Sequence, residues 1–358
     1  MDRRWFRLVM GLAGWFWAGA ALIRAEEAGD RLSLDEATRA RCLGVLREGF
    51  ASPDFWPSMH AAEGLSVAGR GEEVRSALVP RLAGEADLQH RCGLAREIAR
   101  AGDLATVQTL LDVLADADPS GRVHACESLF KLWQIGDGAL LRRALARTDQ
   151  PRLRLMAAAA LARWGSPKAM EALRAAVKAD DGETARVAAW VLGRVGDRSD
   201  LAALRAGASR FDDPAIRAGF AHSLAALGDA EGRSALLKNL GDADFNVRIQ
   251  AAEFAPDARA VDAGDALKRL LDDAVLDVRI RAADALLRLA GPPPLDRTAV
   301  VVRDVFPATR EHPRYSEGSM IDLRDGRLLY ATTEFAASSS DFAKARIVAV
   351  ESADEGRS

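Results

Sequence analysis

Seven arginines, Arg91, Arg122, Arg154, Arg186, Arg217, Arg248 and Arg279, stand 31, 32, 32, 31, 31 and 31 residues apart. Each opens a segment of the same kind, among them RVHACESLFKLWQIGD, RVAAWVLGRVGD and RIRAADALLRLAG. A fixed period of this length marks a repeat architecture, in which a unit buries its apolar face only by stacking on its neighbours.

From about Ser33 to Gly291 the chain is rich in Ala and Leu and shows almost no strand alternation. Each unit reads as an amphipathic helix such as AMEALRAAVKA, a short turn holding Asp or Pro, and a more apolar second helix that starts near the ladder arginine. Glycines close these second helices at Gly102, Gly136, Gly165, Gly196, Gly228 and Gly291, where a left-handed residue is needed. In the unit containing FAPDAR, Pro256 takes over the stop and predicts a bent or shortened helix.

Most ladder positions have an aspartate four or five residues earlier: Asp87, Asp118, Asp149, Asp181, Asp212 and Asp244. An arginine there can fork onto the turn aspartate and onto turn carbonyls of the next unit, so the column is expected to pin the stack rather than bind anions. The pattern Asp/Pro-x-x-Val-Arg-x-x-Ala-Ala-x-Ala-Leu-x-x-Leu-Gly, best seen in LDVRIRAADALLRLAG, resembles HEAT-like repeats of the short phycobilisome-lyase type over roughly seven units. The resemblance implies a mainly α fold, a right-handed α-solenoid over residues 33–291. Its concave face would bind a peptide, another protein or a neighbouring domain. The lyase activity does not carry over, no bilin site is visible, and no cofactor is expected.

Before the repeats, Arg3, Arg4 and Arg7 precede an apolar run from Leu8 to Ile23 that is followed at once by AEEAGDR. This reads as a signal peptide over residues 1–25, cut after Ala20 or Ala25, with an uncleaved anchor as the alternative. The DRRWF sequence resembles the twin-arginine export motif, although Arg7 stands where a second apolar residue belongs, which favours the general secretory route. Either route predicts an extracytoplasmic protein. A net charge of -3 leaves no cationic excess for nucleic acid or for an anionic membrane. Cys42, Cys92 and Cys126 lie far apart in helical segments without metal or redox spacing, and read as buried structural thiols.

The first unit, PDFWPSMHAAEGLSVAG, has its own character, with Trp56, His60 and Glu63, and His90 following one unit later. His60 and Glu63 share one helical face at a spacing that a metal could use. No third ligand stands at a supporting spacing. A His–Glu hydrogen bond capping the open end of the solenoid is the favoured reading, and no metal is expected.

At AGPPPLDRT the periodicity ends, and residues 292–297 read as a stiff linker. Residues 298–358 then hold four short β-patterned runs, TAVVVRDV, SMIDL, RLLYATTEF and ARIVAVES, with a hairpin signal at Asp325-Gly326. A lone antiparallel sheet of this size leaves its edges open, so further chain is expected on its C-terminal side. The segment resembles the first blade of a sialidase-type β-propeller, because Ser352, Asp354, Gly356 and Ser358 fill an Asp-box that lacks only its tryptophan. That box is a folding device for a turn.

The resemblance implies two functional positions. Arg314 of HPRYSEGSM is the nearest match to the first carboxylate-binding arginine, with YSEG in place of Ile-Pro, and Asp341 matches the acid/base aspartate. Glu334 and Phe335 stand where a second arginine is usual. A tyrosine nucleophile and the remaining arginines would belong to later blades, so this chain alone is expected to be inactive. The sequence thus reads as the exported N-terminal part of a sialidase-like glycoside hydrolase. The alternative is a non-enzymatic extracytoplasmic protein-binding scaffold. Expected partners are a protein or peptide on the concave face, or the missing propeller, with glycans a further candidate.

Overall fold

The computed structural model describes residues 31–291, 305–322 and 328–352. The export segment, the proline linker, most of TAVVVRDV, the Asp325-Gly326 turn and the Asp-box residues Asp354, Gly356 and Ser358 lie outside these. Two compact units are present, the first running to Pro292 and the second starting at Pro293.

The first unit is built of helix pairs. They are α1 Glu36–Phe50 with α2 Phe55–Val67, α3 Gly71–Gly84 with α4 Leu88–Arg100, α5 Val107–Ala115 with α6 Arg122–Lys131, and α7 Ala139–Leu145 with α8 Pro151–Arg163. The series continues with α9 Pro167–Ala176 and α10 Gly182–Val195, α11 Leu201–Ala208 and α12 Pro214–Ala226, α13 Ala230–Asn239 and α14 Phe245–Phe254, and α15 Gly264–Leu270 and α16 Leu276–Ala290. Each even-numbered helix packs on the next even-numbered helix, and the odd-numbered ones form an outer layer. Small residues let the inner helices approach closely. In α8 the run Ala157 to Ala160 is buried throughout.

The helix starts follow from local chemistry. Asp87, Asp181, Asp213, Asp229 and Asp244 accept backbone N–H bonds in the first turns, and Pro151, Pro167 and Pro214 sit at N-terminal positions where no donor is needed. Of the six turn aspartates in the sequence pattern, Asp87, Asp181 and Asp244 cap helices, Asp118 accepts from the Ser120 N–H and Asp149 pairs with Arg147. Arg91, Arg122, Arg248 and Arg279 instead donate to the carbonyls of Glu85, Asp116, Asp242 and Asp273, six residues earlier in their own units, at 2.5–3.3 Å. A side chain in the first helical turn leans back over the turn it came from, so these carbonyls are nearest. Two ladder residues also reach across. Arg248 grips Asp273 of the following unit at 2.8 and 3.0 Å, and Arg279 bonds Glu48 at 2.7 Å.

That last contact shows that the solenoid's ends meet. Helix α16 packs on α1 and α2, so the inner helices form a closed ring. The Leu32 N–H donates to the Leu289 carbonyl at 3.1 Å, and His60 Nδ1 lies 2.8 Å from Asp277 Oδ1. Arg41 pairs with Asp272 across the same seam. Gly49 faces Ile280 so closely that an added Cβ would stand 2.5 Å from its Cδ1, which explains a glycine in the last turn of α1. There is no open end for His60 and Glu63 to cap.

The glycine column also shifts. Left-handed residues follow the inner helices at Gly69, Gly102, Trp133, Gly165, Gly228, Arg259 and Gly291. Gly136 is left-handed but lies outside the column, Gly196 has φ -81°, and the FAPDAR unit stops at Phe254 with Arg259 in the column. Trp133 at φ 57° closes a Schellman-type cap, its own N–H bonding Phe130 O and that of Gln134 bonding Leu129 O. A bulky residue in that conformation costs about 1–2 kcal/mol relative to the right-handed region.

The second unit holds three antiparallel strands in the order β1 Arg314–Asp322, β2 Leu328–Phe335 and β3 Ala345–Ser352. Arg314 pairs with Phe335 at one end, and a bulge interrupts β1 between Ser316 and Ser319. Phe306 stacks on Tyr315 with centroids 5.3 Å apart. Among the described residues Met320, Ile321 and Ile347 stay exposed, as one face of a three-stranded sheet must unless something packs on it.

Candidate functional site: the lumen of the helical ring

Closing the ring turns the concave face into a lumen. Because the inner helices run in parallel register with a 3.6-residue turn, side chains three or four apart point inward at successive heights. On α2 these are His60, Glu63 and Val67, on α6 His124, Glu127 and Lys131, and on α16 Arg281, Asp284 and Arg288. Two cavities result. One of about 400 Å³ opens among the N-terminal halves of the inner helices, and one of about 330 Å³ lies at their C-terminal ends. Lys131, Trp190, Glu253 and Arg281 line both.

Charge in this lumen is dense and mostly self-neutralised. Glu63 lies 3.2 Å from Arg100, 3.3 Å from Arg281 and 3.2 Å from Arg288. Burial works against its ionisation, yet the three guanidinium groups hold it well below the usual carboxylate range. Arg194 bridges Glu253 at 2.9 Å and Asp257 at 3.1 Å, and Lys131 reaches Glu127 at 2.8 Å. Burial raises Glu127 and Lys131 and Arg96 lower it, leaving it at about 2. Asp257 and Asp284 go the other way, pushed up chiefly by burial.

Aromatic rings share the space. Arg194 sits 4.3 Å from the Trp190 centroid and 4.1 Å from that of Phe254, and Lys131 lies 5.8 Å over Trp190 from four helices away along the chain. His222 is fully buried in the wall, with Nε2 3.0 Å from the Asn239 amide nitrogen and Nδ1 without a partner. Burial lowers it to about 4. His60 and His124 are also lowered, both first by burial.

Sequence reasoning placed His60 and Glu63 on one face, and both do line the lumen. They do not bond each other. His60 goes to Asp277 and Glu63 to arginines, and among the described residues no cluster of three His, Cys, Asp or Glu could hold a metal ion. Trp56 stacks on His124 and Phe55 on His90, with centroids 5.1 and 3.8 Å apart. The three cysteines are buried and unbridged, and burial pushes Cys42 to about 11 and Cys92 to about 12, which leaves them as poor nucleophiles. Most of the lumen residues were missed. Their signal is a second column, Arg100, Lys131, Arg163 and Arg194, at the same 31- and 32-residue spacing as the ladder.

In the second unit Arg314 opens β1 and Asp341 lies before β3, and the two form an ion pair; Arg314 Nη1 also donates to Ser339 O at 2.9 Å. Glu334 accepts from Tyr315 Oη at 2.9 Å and pairs with Arg346, with His312 Nδ1 3.5 Å away.

The family described as HEAT repeats matches residues 138–212 and 206–287, and the chain carries HEAT repeats there; the same helix pairing continues back to Glu36 in the structure. Human deoxyhypusine hydroxylase in complex with glycerol is similar at 18% identity over 71% of this chain and 97% of that one. The TM-score between the two is 0.34. No curated protein sequence matches the chain.

Proposed function

We propose that this chain is a non-enzymatic binding module whose ligand enters the lumen of the ring. The observation that carries the reading is the size and chemistry of the cavities. At about 400 and 330 Å³ they suit a peptide segment or a molecule of similar bulk, and a folded partner domain is far too large to enter. The carboxylates are gripped by arginine and lysine, which suits holding a ligand better than moving a proton. Peptides selected from a displayed library on the purified chain test this. They are expected to bind at least 10-fold more weakly to Val187→Trp, which fills the larger cavity, and unchanged to Val79→Trp on the outer layer. A selection that yields nothing, or peptides indifferent to Val187→Trp, would sink the reading.

A second reading makes the ring the N-terminal module of an exported sialidase-like glycoside hydrolase. It is supported by the up-and-down order β1-β2-β3 and by the approach of Arg314 to Asp341, the two positions that the family resemblance picks out. Each neutralises the other on an exposed surface, so the chain alone is expected to leave a fluorogenic sialoside uncleaved. Turnover above a heat-killed control would overturn that expectation. N-terminal sequencing of secreted protein tests the export reading, with residue 21 or 26 expected first.

A further inference from the structure

We propose that the C-terminal mouth of the lumen binds an organic monocarboxylate, with Arg163 seating the carboxylate and Trp133 packing against the ligand's body. The proposal rests on the lumen being the binding surface and names the chemistry that one end of it selects.

Arg163 is the odd member of the cations around this mouth. Arg100, Lys131, Arg194 and Arg288 each have a carboxylate within 3.2 Å. Among the described residues Arg163 has none. Its Nη1 donates to Phe130 O at 2.8 Å, its Nε is buried without a partner, and its Cζ lies 4.0 Å from the Phe130 centroid and 4.5 Å from that of Trp133. A guanidinium drawn out of water with donors to spare is a poor structural choice unless an anion completes it. Burial, and then Arg194, lower its pKa to about 10, in keeping with a cation short of counter-charge.

The surrounding field has the same sign. The mouth carries six cations, Arg163 among them, against the four acids Glu63, Glu253, Asp257 and Asp284. Two of those acids, Asp257 and Asp284, are pushed towards their neutral forms by burial. The acids that stay charged argue for one negative charge on the ligand rather than two, because a dianion would meet Glu63 and Glu253, both held below the ordinary carboxylate range. A planar fork such as Arg163 matches a carboxylate.

Trp133 supplies the second, independent observation. Five other pairs place a left-handed glycine at this point, where the fold asks only for a residue that tolerates positive φ. Here an indole stands instead, 58% exposed at the rim. Trp164, exposed to the same degree, donates its Nε1 proton to the Trp133 carbonyl at 3.1 Å and braces it. The cap has no use for an indole in that slot, whereas a ligand's apolar or ring face does.

Two sources could provide such a carboxylate, a peptide C-terminus or an acidic sugar. N-acetylphenylalanine and N-acetylneuraminic acid, each beside its neutral amide or methyl ester, and inorganic phosphate are titrated calorimetrically into the full chain. One of the acids is expected to bind saturably, and its neutral analogue at least 10-fold more weakly; which acid it is assigns the source. Arg163→Gln should weaken that acid at least 10-fold and Arg47→Gln on the outer layer should not. Trp133→Gly should weaken it at least 5-fold while its melting temperature stays within a few degrees of the parent, since glycine is what the cap prefers. No binding by either acid, tighter binding of phosphate, or full binding by folded Arg163→Gln or Trp133→Gly would each overturn the proposal. If library peptides are lost on Val187→Trp yet neither acid binds, the carboxylate seat is refuted and the lumen reading stands. Acid binding lost on Arg163→Gln without peptides sensitive to Val187→Trp upholds the carboxylate seat and refutes the larger cavity as the place where a peptide enters.

Discussion

Replacing Glu63 by alanine is expected to destabilise the ring by about 3–5 kcal/mol, the range for removing one partner from a buried charge cluster. Three guanidinium groups, from Arg100, Arg281 and Arg288, converge on this carboxylate at 3.2–3.3 Å. They belong to α4 and α16, the two inner helices flanking α2, so the loss falls on the seam where the ring closes. The melting temperature should drop by roughly 6–20 °C, and small-angle scattering should report a larger radius as the seam opens. Glu73→Ala is the control. Its partner Arg47 is 3.0 Å away, but the pair is largely exposed, and its loss should cost less than about 1 kcal/mol. A similar small effect for Glu63→Ala would mean that Asp284 and Glu253 take over its role, and the seam would have to be assigned to apolar packing.

Acid should weaken the ring through His222. The folded chain holds this imidazole at about 4, below its ordinary value near 6.5, because protonation would bury a charge. As the pH falls below 6.5 the unfolded chain takes up the proton first, so stability is lost progressively and the loss is complete near pH 4. Between pH 7 and pH 4 this amounts to about 3 kcal/mol. Glu253 and Arg194 face the ring and act in opposite directions, the first favouring the proton and the second opposing it. His60 and His124 shift the same way as His222, while Asp257 and Asp284, raised by burial, act in the opposite sense. The clean measurement is therefore a difference. Urea unfolding of the parent and of His222→Gln at pH 7 and pH 4 should show the parent losing about 3 kcal/mol more. Equal losses would show that the imidazole is protonated in the folded chain without penalty.

The helical part was legible because its signals are local. The 31- and 32-residue spacing, the apolar second helices and the cap residues all follow from nearest-neighbour chemistry, and HEAT-like pairing could be read from them. Closure was not legible. It depends on small rotations accumulated from pair to pair, and the residues that seal it, Gly49, His60 and Arg279 among them, have partners more than two hundred residues away. The glycine column misled at Gly136 because Trp133, three residues earlier, occupies the left-handed slot that sequence rules assign to glycine. The same exception stands at the mouth of the lumen. Arg314 opens β1 and Asp341 precedes β3, and their mutual ion pair could not be read from sequence.

A ring of stacked units obeys a counting rule that an open stack escapes. An open array can gain or lose a unit at an end and remain a shorter or longer version of itself. Here every inner helix already has a neighbour on both sides, and Leu32 bonds Leu289 across the join. Adding or deleting one pair would change the angle that all the others must share, so the number of pairs is locked. Such a protein can diversify by exchanging side chains around a fixed circumference, and its ligand preferences can drift while its outline stays the same.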